Sequence, residues 1–150
     1  MKTQRLRFIP VLLMLAVSAL AVQRNIEQMK AAAERASGGG QARQYAELAK
    51  YMVDVADQQF TQANIEQAQA TIQEVLNYCL KARDASLKSH GKMKETEIIL
   101  RETQRRVEAV KRTLAAEDRP PLDQVEKKIE QYRQDLLDEM FGSKKKEKKP

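Results

Sequence analysis

The sequence predicts an all-α fold: either an antiparallel helical bundle or paired long helical hairpins, following a cleavable N-terminal signal helix. Three observations predict it. Four segments place apolar residues at spacings of three and four, the repeat of one face of an α-helix. No segment alternates apolar and polar residues convincingly, as a half-buried strand would. Gly91 and Pro120-Pro121 mark two of the breaks between them, and Asn64, a helix-capping residue, follows the other. With 150 residues the chain holds one domain and hardly two, and its 42% hydrophobic content argues against full disorder.

Residues 1–21 read as an address. Lys2, Arg5 and Arg7 precede an apolar run that begins at Phe8 and is broken only by Pro10 before Val17. Ala19-Leu20-Ala21 then supplies the small residues a signal peptidase accepts. Phe8 to Val22 is 15 residues, short of the roughly 18–20 that a membrane-spanning helix needs. Cleavage after Ala21 is therefore expected, with an uncleaved N-terminal membrane anchor as the alternative. Export to a periplasmic or secreted location follows from it.

Residues 22–40 combine a helix-prone stretch with a glycine linker. Ile26, Met29 and Ala33 give a thin apolar stripe, so a loosely attached, solvated helix is expected before the flexible Ser37-Gly38-Gly39-Gly40. The helical domain is expected over 41–142. Its first helix, 41–61, carries Tyr45, Leu48, Met52, Val55, Ala56 and Phe60. The second, 64–90, carries Ile65, Ala68, Ile72, Val75, Cys79 and Ala82, with Asn64 at the capping position. The third, 92–117, carries Met93, Leu100, Val107, Val110 and Leu114, with Thr96 and Thr103 at two stripe positions. The fourth, 121–141, carries Leu122, Val125, Ile129, Tyr132, Leu136 and Met140. Gly91 suits a left-handed cap after His90, and the break it makes is a full turn or only a kink. Pro120-Pro121 stops the third helix and pre-sets the fourth, which Gly142 ends.

Phe60 to Ala68 looks like the turn of a tetratricopeptide-style hairpin, where an aromatic, a tight turn and a small Ala recur. Thirty-four residues further on, Asn64 falls on Ile98 and Ala68 on Glu102, so the repeat does not recur. The family is not assigned, and a generic helical hairpin explains the same residues.

The net charge of +6 is a property of the two ends. Loss of the three signal cations leaves +3. The tail Lys144-Lys145-Lys146-Glu147-Lys148-Lys149 holds +4, so residues 22–143 sum to −1. A nucleic-acid partner is thus not expected of the body. The tail, 143–150, is expected to be disordered. Lys144, Lys145, Lys146, Lys148 and Lys149 are the candidate contacts to an anionic surface.

Little catalytic chemistry is indicated. One His and one Cys cannot build a zinc set or an intramolecular disulfide, and no nucleotide-loop or metalloprotease motif is present. No catalytic, cofactor-binding or metal-binding residue is therefore expected. His90 reads as a surface cap, Cys79 as a buried small hydrophobe, and Tyr45, Tyr78 and Tyr132 as core or core-edge residues. Asp135, Asp138 and Glu139 crowd a helix C-terminus, where the following lysines offset them. Arg101, Arg105, Arg106, Lys111 and Arg112 could form a polyanion stripe, but Glu97, Glu102 and Glu108 each stand four residues before Arg101, Arg106 and Arg112. That spacing favours intrahelical ion pairs on a solvated face. The expected function is that of an exported, non-enzymatic interaction or scaffold protein. It would meet protein partners, or a second copy of itself, through helix faces. The alternative is a small periplasmic-type chaperone or a protein that binds polyanions or membrane surfaces.

Overall fold

A computed structural model describes the backbone of residues 9–146 and the side chains of residues 20–142. Five helices follow one another: α1 (Ile9–Arg35), α2 (Gly38–Thr61), α3 (Ile65–Ser89), α4 (Met93–Thr113) and α5 (Pro120–Lys146). A short 3-10 turn, Ala116–Asp118, precedes α5, and no strand occurs among the described residues.

The helices form two stacked hairpins, α2–α3 and α4–α5, with α1 laid against α2. Four ion pairs fix the stacking: Arg43–Glu95, Lys50–Glu102 and Asp54–Arg106 join α2 to α4, and Arg83–Asp135 joins α3 to α5. Each joins residues 52 apart in sequence. A constant displacement means that the stacked helices run parallel and in register, whereas the helices within each hairpin run antiparallel. One hairpin sits on the next at 52 residues, not 34.

The predicted stripes form the core. Leu48, Met52, Val53, Ala56 and Phe60 of α2 meet Ile72, Val75, Cys79 and Ala82 of α3, and the cluster continues through Leu100 and Val107 to Leu122, Val125, Ile129 and Leu136. Burial of such side chains is worth about 1.5–3 kcal/mol each, far more than helix propensity contributes per residue. Thr96 and Thr103 are fully buried on the same face of α4. Thr103 donates its hydroxyl to the Ile99 carbonyl at 2.9 Å, while Thr96 Oγ1 has no hydrogen-bond partner.

Several sequence expectations need correction. The 22–35 stretch is not solvated: Ile26 is 6% exposed, Ala33 is fully buried, and Val22 and Met29 pack on the core. Ser37-Gly38-Gly39-Gly40 is not a linker. Ser37 occupies the N-cap position and the three glycines form the first turn of α2. Gln41 Nε2 also donates to the Ala33 carbonyl at 3.1 Å and ties α1 to α2. At Gly39 the missing side chain is needed for proximity. A Cβ on Gly39 would lie 2.8 Å from the Gly91 carbonyl carbon, so the α1–α2 and α3–α4 turns touch backbone to backbone.

Gly91 therefore marks a full turn, but not as a left-handed cap: His90 (φ 50°) and Lys92 (φ 53°) carry the positive angles. Asn64 stands before α3 without a side-chain capping bond, its Nδ2 directed to Gln62 Oε1 at 3.5 Å. α4 ends at Thr113, earlier than 117, and α5 runs through Gly142 to Lys146.

Candidate functional site: an amide-lined groove

The sequence-predicted surface contacts fall at or beyond the limit of the described residues. Lys148 and Lys149 lie outside the described residues, as do the side chains of Lys144, Lys145 and Lys146, whose backbone belongs to α5. The signal residues 1–8 likewise lie outside them. Among the described residues no helix is long and apolar enough to cross a membrane, and no three His, Cys, Asp or Glu side chains are grouped to hold a metal ion.

The basic stripe of α4 is mostly committed to carboxylates, by a different pairing than the sequence suggested. Glu108 does pair with Arg112, and Glu97 with Arg101 at 2.5 Å. Glu102 instead meets Lys50 at 3.2 Å, and Arg106 meets Asp54 at 2.5 Å. The stacked hairpin offers partners across the helix seam, so the long cations leave their own helix. Lys111 donates to Glu126 at 2.6 Å and Asp123 at 2.9 Å, and these two bonds raise its pKa.

Glu97 is not on a solvated face. It is 2% exposed and shared between Arg101 and Arg133, with Arg133 also reaching Glu130 at 2.6 Å and Gln104 at 2.7 Å. Glu97 stands two residues from Glu95, which faces α2, so it projects about 200° around the helix from it. The network thus closes the α4–α5 seam on the side away from the first hairpin.

The remaining candidates take structural posts. His90 is exposed at the α3 terminus, with Nδ1 3.4 Å from Glu139. Asp135 pairs with Arg83 at 2.8 Å. Cys79 is fully buried, and burial alone drives its thiol pKa far upward, away from the reactive thiolate. Tyr45 and Tyr78 stack with centroids 5.9 Å apart beneath Lys81, and Arg83 lies 4.8 Å from the Tyr132 ring.

One concave site was missed by reading the sequence. A groove of about 760 Å³ opens at the end of the molecule opposite the glycine contact. α1 supplies one wall with Val22, Gln23, Ile26 and Lys30; α2 supplies Met52, Val55, Gln58, Gln59 and Gln62; α3 supplies Asn64, Gln67, Ala70, Thr71 and Glu74. Ile26, Met52 and Val55 are buried at its floor. Six carboxamides line it, of which Gln59 accepts from Thr71 Oγ1 at 2.7 Å and Gln23 donates to Glu27 at 3.2 Å. Among the described residues Lys30 is its only cation, and it sits 3.4 Å from Glu27 and 3.9 Å from Glu74. Burial opposes that charge, but Tyr78, Glu74 and Glu27 outweigh it and the Lys30 pKa is raised.

The available signal was the density of Gln around the α2–α3 turn, at Gln58, Gln59, Gln62 and Gln67. It stays mute until α1 is known to pack there and wall the groove. No protein-family model, curated protein or solved structure matches this chain.

Proposed function

We propose that this chain is an exported, non-enzymatic helical scaffold that holds a protein partner in the groove between α1 and the α2–α3 hairpin. The groove carries this reading. It is concave, has an apolar floor and a rim rich in carboxamides, and lies where three helices converge, the setting in which bundle proteins place their ligands. The signal-like residues 1–21 motivate export. The alternative roles have narrower support. Large exposed hydrophobics among the described residues are only Leu20, Ile98 and Phe141, less than the broad apolar cradle expected of a general chaperone. A polyanion- or membrane-binding role rests on Lys144–Lys149.

The test is crosslinking in the native envelope. A photo-crosslinking amino acid is placed at Gln58 in the groove or at Arg105 on the exposed face of α4. The expected result is one stoichiometric protein adduct from Gln58, none from Arg105, and an intact mass beginning at Val22. Adducts from both positions, or only lipid and polysaccharide recovered in a manner lost with residues 143–150, would overturn the scaffold reading.

A further inference from the structure

We infer that the groove recognises an extended, uncharged polypeptide segment through its main chain, the carboxamides pairing with backbone N–H and C=O groups. This deepens the scaffold reading and rests on it. A carboxamide is the one neutral side-chain group that offers two N–H donors and a carbonyl acceptor together. An extended chain presents the same two groups at every residue and satisfies them outside itself. The six carboxamides at positions 23, 58, 59, 62, 64 and 67 thus match a peptide backbone in kind.

Their capacity is open. Among the described residues, Gln58 and Gln67 make no side-chain hydrogen bond, and Gln59 and Gln62 use only their carbonyl oxygens. Between the amides, Ile26, Met52, Val55 and Ala70 leave room for small apolar side chains of the ligand. The volume lies inside the roughly 300–1,000 Å³ of small-ligand sites, so a short stretch of chain fills it.

Other ligand chemistries fit worse. A phosphate-bearing ligand needs cations, and Lys30 is already flanked by Glu27 and Glu74. A sugar ring or a nucleobase is commonly held on an aromatic face, and none of the four Tyr lines the groove. A helical ligand has its main-chain groups paired internally, and an acyl chain has none, so either would strand the carboxamides.

The test uses the purified full chain and fluorescence anisotropy with labelled, end-capped nine-residue peptides of Ala, Ser and Val. One peptide is uncharged, one carries three Lys, one carries three Glu, and one is the uncharged sequence with alternate backbone nitrogens methylated. The uncharged peptide is expected to bind tightest, and methylation to weaken it at least tenfold, about the loss of two hydrogen bonds. Gln58→Leu with Gln67→Leu is expected to weaken it by about tenfold, and Gln44→Leu, on an exposed part of α2, to leave it unchanged. All these residues are exposed, and circular dichroism checks that each variant folds. Equal binding of the methylated peptide, preference for a charged peptide, or no binding at all would overturn the inference. A groove-specific partner in the envelope without peptide binding would leave the scaffold reading standing and remove this one. Peptide binding with no envelope adduct at Gln58 would do the reverse.

Discussion

Cys79 shows what a single enclosed residue does to the protein's response to pH. Burial raises its thiol pKa above the ordinary 9.0, so the folded chain keeps a proton that the unfolded chain loses. The sign follows: this contribution is fully present below pH 9 and declines as pH rises beyond it. The slope is at most about 1.4 kcal/mol per pH unit. Urea midpoints of the native protein and of Cys79→Ala, taken from pH 8 to 11, should converge as pH rises; parallel curves would refute the linkage. The apolar stripe made this burial legible in the sequence. Glu97 was not legible. Its spacing to Arg101 is the same as that of Glu108 to Arg112, and only Arg133, 36 residues away, turns one of the two into a buried carboxylate.

At the scale of elements, the apolar periodicity located four helices and their inward faces, because burial dominates propensity. It failed at the glycines, where propensity alone was informative and a tertiary contact prevailed. Gly38-Gly39-Gly40 disfavours helix by nearly 1 kcal/mol per residue relative to Ala, yet it forms the first turn of α2, and at Gly39 the Gly91 backbone occupies the space a side chain would need. Adjacent substitutions should therefore have opposite signs. Gly40→Ala meets nothing within 4 Å and should stabilise by about 0.5–1 kcal/mol. Gly39→Ala drives a methyl into the Gly91 carbonyl and should destabilise by about 1–3 kcal/mol despite the same gain in propensity. Chemical denaturation of the two variants decides it, and two stabilised proteins would mean that the turns are not in contact.

For the whole molecule, the stacking register could not be read in advance. It is set by Arg43, Lys50, Asp54 and Arg83, each of which meets a partner 52 residues later, and exposed charges on a helix do not announce whether they pair within it or across. The groove was hidden for the same reason: it exists only once α1 docks. α1 packs chiefly on α2, whereas α2 has neighbours in α1, α3 and α4. Hydrogen exchange should accordingly find the amides of residues 26–35 opening by a partial route, with protection roughly tenfold or more below that of residues 53–60. Uniform protection across both segments would show α1 to be an inseparable part of the core.

The Ala33–Gln41 tie and the Gly39–Gly91 contact sit at one end, and the groove sits at the other. Any swing of α1 would therefore pivot at residues 36–38. Val22 stands about 20 Å along the helix from that pivot, so a swing of about 10° parts the jaws by about 3 Å. The aperture of such a swing would depend on the torsional stiffness around Gly38 (φ +57°), which does not line the groove.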